Sequence, residues 1–291
     1  MLDRLGRLAA QPAFRAEPLH VMWRAGLLAA HVGLRRRPTF SLTRGGERLR
    51  TPADLRYTTV TAYLLRDWAE PELRELDQLL KPGDVFIDVG ANIGLYTLKA
   101  ARLVGPEGKV AALEPGHDAY QQLKANLALN DYDWVRPLKI AASDEEGVAV
   151  LHHVPLGDDP QAFSLVAHPQ AVEGETVRTT RLDTLVEQLA FNRIDLIKID
   201  VEGAEPMVLD GATRVLSAQR PAILFECNAH INSGGESAGA AGAAWAGLEA
   251  FGYRFYRLAN RVFEPADRPP ESFCNMLACH PERALPFTRA S

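Results

Sequence analysis

Val85-Phe86-Ile87-Asp88-Val89, followed by Gly90-Ala91-Asn92-Ile93-Gly94, decides the reading of this chain. The first five residues are apolar but for one acid and have the length of a strand buried on both faces. The next five form a tight glycine turn, and Leu95 to Val104 then reads as a helix. The alternation continues downstream. Lys109 to Leu113 is a second strand, ended by Glu114-Pro115. His117 to Asn130 is a second helix, with Tyr120, Leu123 and Leu127 on its apolar face, and Val135 to Ala141 is a third strand. Strand and helix alternating at this spacing predict a parallel sheet with helices on both faces.

The pattern breaks over residues 147–182. Val148 to Val154, Phe163 to Ala167 and Thr176 to Leu182 read as short β-pieces in an antiparallel excursion. It then resumes with a helix from Asp183 to Ala190, N-capped by Asp183. A strand from Ile194 to Ile199 ends at Asp200, and a helix covers Glu205 to Ala218. A further strand, Ala222 to Phe225, ends at Glu226. Asn232 to Gly242 reads as a flexible loop, and Trp245, Leu248 and Phe251 suit a helix. Tyr253 to Leu258 and Phe273 to Cys279 read as a closing pair of strands. Upstream, residues 1–35 predict one or two short helices. Thr39 to Leu42 and Arg48 to Arg50 predict a hairpin about Gly45-Gly46. Tyr57 to Leu65 is β-prone, and Pro71 to Leu80 reads as a helix with Pro in its first turn. Residues 1–80 are therefore expected to form a helical/β appendage, serving acceptor or oligomer contact, and residues 81–291 the main α/β domain.

With 291 residues, 47% of them hydrophobic and 24% charged, the composition excludes collagen, coiled coil and wholesale disorder. No run approaches the ~18 apolar residues of a membrane span. Leu27 to Ala30 is too short for a signal-peptide core. Three cysteines, Cys227, Cys274 and Cys279, make neither a disulfide framework nor a zinc pattern, so a cytoplasmic setting is expected. The net charge of -5 conceals +7 on residues 1–50 and -12 on the rest. The arginines are spread among leucines. The preferred reading is a solvated helical face packed on the acidic body, and weak contact with an anionic membrane surface is the alternative.

The turn at Gly90, Asn92 and Gly94 has two glycines where a dinucleotide fingerprint has three, and no phosphate-loop Lys. Asp88 beside it is a poor neighbour for a pyrophosphate, since like charges at ~4 Å repel by several kcal/mol at intermediate dielectric. It suits a cofactor with a cationic group, such as S-adenosylmethionine. Glu114 is placed to accept from both ribose hydroxyls. Asp144, in Ala142-Ser143-Asp144 after the third strand, is placed to accept from the adenine amino group. Ile197-Lys198-Ile199-Asp200-Val201-Glu202-Gly203-Ala204-Glu205 sets three acids at the active edge of the sheet. The helix dipole accounts for Glu205, but not for Asp200 and Glu202 in the turn. Lys198 needs a carboxylate partner or a route to solvent. The next strand adds Glu226, Asn228 and His230.

These stretches resemble the FkbM-type family of S-adenosylmethionine-dependent methyltransferases from about Lys81 to His280. Leu113-Glu114-Pro115, Asn126 with Leu129-Asn130, Leu182-Asp183-Thr184-Leu185 and Pro221-Ala222-Ile223-Leu224-Phe225-Glu226 carry the likeness with the two motifs quoted above. The specific part is Lys198 to Glu205 with Leu-Asp-Thr-Leu upstream. The resemblance implies a seven-strand class I (Rossmann-like) sheet, mostly parallel with its last strand antiparallel. It also implies O-methylation of a hydroxyl on a sugar, glycan or natural-product scaffold. The expected cofactor site is Asp88, Gly90, Asn92, Gly94, Glu114, Ser143, Asp144 and Asp200. The base is expected to be Glu202 or His230, with Asp200 and Glu226 holding or tuning the acceptor. Asp200, Glu202 and Glu226 also offer oxygen ligands for a divalent metal, which nothing in their spacing requires. N-methylation and a non-catalytic cofactor-binding module are the alternatives kept. A nicotinamide oxidoreductase is disfavoured by Asp88. No nucleic-acid partner is expected from an acidic body without a base-flipping motif. A homodimer is allowed but not read from any motif.

Overall fold

The computed structural model describes residues 12–44, 46–156, 159–166, 172–227, 238–270 and 274–287. Its centre is an eight-stranded sheet. The strands are β3 (Val85–Val89), β4 (Lys109–Leu113), β5 (Val135–Leu138), β10 (Leu196–Ile199), β11 (Ala222–Cys227), β12 (Arg254–Ala259), β13 (Val262–Ala266) and β14 (Cys274–Cys279), in the order β5-β4-β3-β10-β11-β14-β12-β13. The first five in this list run parallel, and β14 runs antiparallel to β11. This is the expected arrangement with one strand more. The extra strand, β13, pairs with β12 through the two-residue loop Asn260-Arg261, both at positive φ (49° and 68°). A two-residue hairpin needs that backbone, and Asn-Arg is a weaker signal for it than Asn-Gly.

Every residue of β3, β10 and β11 is buried. Alternate side chains feed two cores, one per face: Phe86, Leu196 and Leu224 on one, Ile87, Ile197 and Phe225 on the other. Helices α5 (Leu95–Val104) and α6 (His117–Leu127) contribute Leu98 and Leu123 to the first core. Helices α7 (Leu182–Gln188) and α8 (Glu205–Asp210), with α9 (Ala238–Ala250), contribute Leu185, Val208 and Leu248 to the second.

The N-terminal elements are α1 (Pro12–Ala16), α2 (Pro18–Gly33), the hairpin β1 (Thr39–Ser41)–β2 (Arg48–Arg50), α3 (Tyr57–Leu65) and α4 (Pro71–Arg74). Their buried residues Val21, Leu28, Phe40, Tyr63 and Leu73 belong to the first core, so this segment covers one face of the sheet. The β-prone stretch Tyr57 to Leu65 is helical. Helical spacing buries Thr59 with Ala62 to Leu65 and sets Tyr63 edge-on to Phe40 at 5.0 Å, and this packing overrides local propensity. The helix expected over Pro71 to Leu80 breaks after Arg74, with a 3-10 turn at Leu76–Gln78. The ammonium of Lys99 donates to the carbonyls of Leu73 and Arg74, both at 2.7 Å, taking acceptors that a continuing helix would use.

A second sheet is formed by β6 (Ala141–Ala142), β7 (Gly147–Leu156), β8 (Asp159–Ser164) and β9 (Val172–Thr180), in the order β6-β9-β7-β8. This is the predicted antiparallel excursion, with β6 alone parallel to its neighbour. Asp183 does not cap its own helix, whose N-cap is Arg181. Its carboxylate accepts instead from the N–H groups of Arg214 (3.1 Å) and Val215 (2.9 Å). That contact starts a separate π-helical turn at Val215–Gln219, so the helix expected over Glu205 to Ala218 stops at Asp210. Of the loop expected at Asn232 to Gly242, residues 232–237 lie outside the described residues and the remainder opens α9. Among the described residues no helix is long and apolar enough to cross a membrane.

Candidate active site

A cleft of about 710 Å³ opens at the carboxyl edge of the main sheet. Its floor is the turn between β3 and α5. Gly90 there has φ +82°, and a Cβ on it would meet the backbone oxygen of Asp200 at 1.9 Å, so only glycine fits. The N–H groups of Gly90 and Ala91 both donate to the carbonyl of Leu113, tying the turn to β4. Glu114 follows and is 6% exposed. One carboxyl oxygen accepts from the N–H of Asn92 at 2.7 Å, the other from the N–H of Gly116 at 2.8 Å. Burial pushes this carboxyl up to about 7, against the pull of those two amides. It borders the cleft with its orientation already fixed.

Asn126 of α6 is fully buried and braces the same turn. Its amide donates to the carbonyl of Ile93 (2.8 Å) and accepts from the N–H of Arg50 (2.9 Å) in β2. Asn130 grips Arg48 through both backbone groups. The two asparagines noted in the sequence thus fasten the N-terminal hairpin to α6, and Asn126 ties it on to the β3–α5 turn. Arg37 before the hairpin and Pro52, Arg56, Thr58 and Thr59 after it line the cleft, and Leu151, Glu175 and Leu165 border it from the second sheet and its edge.

The opposite end is formed by the turn after β10. Asp200 and Glu202 line the cleft, and Glu202 has φ +54°, a conformation most side chains avoid. Carboxylate oxygens of Asp200, Glu202 and Glu226 lie within 4.8 Å of one another. Lys198 is buried in β10 and donates to Asp200 at 2.7 Å, its ammonium 4.6 Å from the Tyr96 ring. Burial would lower the ammonium, but the carboxylates of Asp200, Asp88 and Glu70 outweigh it and hold Lys198 charged. Burial likewise works against the Asp200 carboxylate, and the adjacent Lys198 ammonium overrides this and holds Asp200 below its ordinary range. Glu226 is pushed well up by burial and by the charges of Asp200, Glu202 and Glu205, and it shares a hydrogen bond with Asp200. Glu205 accepts from the N–H groups of Val201 and Gly203, so it shapes the turn.

Several expected site residues stand elsewhere. Asp88 is 1% exposed and does not border the cleft: it accepts from the Thr97 hydroxyl of α5 at 2.5 Å and faces Lys198 across the β3–β10 pair. The acids that line the cleft are Glu114, Asp118, Glu175, Asp200 and Glu202. Ser143 and Asp144 lie just past the cleft wall at Ala141 and Ala142, the Ser143 hydroxyl donating to Asp144. Gly94, at φ +99°, lies behind the floor against Leu123. His230 and Asn228 lie outside the described residues. The sequence reading missed Glu70, which accepts from the Tyr96 hydroxyl (2.6 Å) and from Asn275 (3.2 Å). The signal for it was the unbalanced charge of Lys198.

Comparison with known proteins gives a family model, described as the Methyltransferase FkbM domain, that matches residues 88–255. Among curated proteins, 31-O-demethyl-FK506 methyltransferase FkbM of Streptomyces tacrolimicus is 32% identical over 163 residues, covering 45% of this chain and 60% of its own length. Hexuronic acid methyltransferase AglP of Haloferax volcanii is 30% identical over 147 residues, covering 50% of this chain and 57% of its own length. 2-O-methyltransferase NoeI of Sinorhizobium fredii is 28% identical over 161 residues, covering 50% of this chain and 65% of its own length. The chain thus spans 57–65% of these relatives. Among solved structures, methyltransferase FkbM from Methylobacillus flagellatus aligns with a TM-score of 0.44 and 15% identity, over 77% of this chain and 54% of its own.

Proposed function

The chain belongs to the FkbM methyltransferase family, and on that premise we propose that it moves a methyl group from S-adenosyl-L-methionine onto a hydroxyl of a sugar, glycan or natural-product acceptor. The observation that carries the reading is one cleft with an oriented carboxyl, Glu114, on its floor and the acids Asp200 and Glu202 at its far end. Its chemistry fits the cofactor. Ile93, Leu113, Ile140, Ala141 and Ala142 supply apolar walls for a base, and Glu114 can accept from two ribose hydroxyls. Asp200 faces where a cationic tail would lie. A pyrophosphate on this side would meet all three acids, each like-charge pair repelling by ~4 kcal/mol at 4 Å and intermediate dielectric. Asp144, next to the Ala141–Ala142 wall, is assigned the adenine amino group.

When bound, S-adenosylmethionine supplies a methyl carbon already activated by its sulfonium. The protein must then hold the acceptor oxygen ~3–3.5 Å from that carbon, in line with the bond to be broken. It must also take the hydroxyl proton, and a placed base contributes ~10²–10⁴-fold. Burial and the neighbouring carboxylates favour the protonated form of Glu226, while the Lys198 ammonium overrides burial and favours the ionised form of Asp200, which makes it a weak base. The role of base therefore falls to Glu202 at the cleft wall, with His230 the other candidate. Kinetics with Glu202→Gln and His230→Ala test this. Both variants should bind S-adenosylhomocysteine as the wild type does, and one should lose turnover by about a hundredfold. Two variants with wild-type turnover would sink the assignment. Incorporation of label from methyl-labelled cofactor into a panel of hydroxylated acceptors tests the reaction itself.

A further inference from the structure

Helix α2 presents an unusual outer surface. Leu19, Met22, Trp23, Gly26, Ala30 and Gly33 follow one another at helical spacing and are all exposed, Leu19 at 81% and Trp23 at 64%. The opposite face, through Val21 and Leu28, is packed into the core. The sequence predicts a solvated charged face here. The helix holds one arginine, Arg24, which donates to the carbonyl of Leu64 at 2.9 Å, and an apolar strip is left exposed. No charged residue lies on the strip, and no acid lies anywhere in α2. The helix runs straight into Leu34 and Arg35-Arg36-Arg37, all exposed. Between residues 12 and 46 the one acid is Glu17, against six arginines, and Glu17 is engaged by Arg24 and Arg44. The positive charge of this region is therefore largely uncompensated, on a body that is otherwise acidic.

We propose that this face docks on an anionic lipid surface, with Leu19, Met22 and Trp23 entering the headgroup boundary and Arg35 and Arg36 meeting lipid phosphates and carboxylates. An apolar helical strip bearing Trp, with basic residues at its margin, gains from both terms at once. The occupant follows from the chemistry of the strip. Gly26, Ala30 and Gly33 leave it shallow, with neither a pocket nor a polar side chain through which a protein partner could be read, whereas a lipid surface asks for neither. Arg37 borders the cleft, so docking by this helix brings the mouth of the cleft to the membrane. The inference stands apart from the methyl-transfer reading, because binding to vesicles needs no acceptor.

The test is co-sedimentation of the full chain with vesicles of phosphatidylcholine alone or of phosphatidylcholine with phosphatidylserine. The wild type should partition to the anionic vesicles only, and salt should release it. Arg35→Gln with Arg36→Gln should weaken partitioning on the order of tenfold. Leu19→Ser with Trp23→Ser should abolish it. All four positions are exposed, so folding should be untouched, which an unchanged thermal unfolding temperature would verify. Equal recovery with both vesicle types, or partitioning unaffected by either double substitution, overturns the proposal. So does a wild-type dimer in solution that Leu19→Ser with Trp23→Ser converts to monomer, since the strip would then belong to a second copy.

Discussion

Replacing Glu114 by Gln removes one oxygen and one charge from the floor of the cleft while keeping the side chain's shape. In the wild type, raising this carboxyl from 4.5 to about 7 means that its ionised form carries a cost of about 3 kcal/mol, at 1.36 kcal/mol per pH unit. Two ribose hydroxyls donating to the carboxylate recover that cost, since hydrogen bonds to a charged group contribute ~1.5–3 kcal/mol each. Binding therefore selects the ionised form. With a pKa of about 7, roughly one molecule in ten is ionised near pH 6 and nearly all are near pH 8.5, so affinity for S-adenosylhomocysteine should rise about tenfold across that interval. The glutamine has one acceptor for the two amides of Asn92 and Gly116, leaving little for the ribose, and affinity at pH 8.5 should fall by about a hundredfold. Titration calorimetry on both proteins at both pH values measures this. The ligand's own amino group titrates identically with either protein and cancels from the ratio. A variant that binds within about threefold of wild type, or one with the same pH dependence, would refute the assignment of Glu114.

Lys198→Met should destabilise the fold by ~3–5 kcal/mol in urea unfolding, because Asp88, Asp200 and Glu70 would lose their buried counter-charge; a loss under ~1 kcal/mol would mean that these acids are neutral without it. Gly90→Ala should cost more stability than Gly105→Ala. Both glycines have positive φ, but an added Cβ meets backbone at Gly90 and nothing within 4 Å at Gly105; equal thermal shifts would argue against the close approach of the two turns. Glu205 is raised by burial to about 7, so its contribution to stability is fully present below pH 4.5 and is lost as pH rises through about 7. Glu205→Gln should flatten that part of the stability profile, and an unchanged profile would count against it. Exhaustive chelation should leave turnover intact, because the Lys198 ammonium already neutralises Asp200; activity lost to chelation and restored by Mg²⁺ would instead make Asp200, Glu202 and Glu226 metal ligands.

The parallel half of the sheet was legible in the sequence because strands buried on both faces are written as unbroken apolar runs. Val85–Val89 and Lys109–Leu113 have the bounds their composition predicts. The N-terminal segment was harder. Tyr57–Leu65 carries residues that favour strands, and packing into a core shared with residues distant in sequence, Phe40 against Tyr63 among them, makes it a helix. The site was legible as a set of acids at strand tips, but not in its division of labour. Asp88 and Asp200 sit at the ends of adjacent strands, and spacing alone says nothing about which faces the cleft. That depends on Thr97 offering Asp88 a hydroxyl behind the turn, and on Lys198 lying between the two acids. The exposure of Trp23 was hidden for a similar reason, since leucines and arginines interleaved in one helix do not reveal which stripe the rest of the protein will cover.

Asn126 acts as a mechanical fastener. One side chain touches the glycine turn at Ile93 and the hairpin at Arg50, parts of the chain more than forty residues apart. Floor and hairpin are in effect riveted through one side chain, so moving one against the other means breaking a buried hydrogen bond. The spacing between them is thus set by the fold itself, through a buried side chain that no guest has to displace.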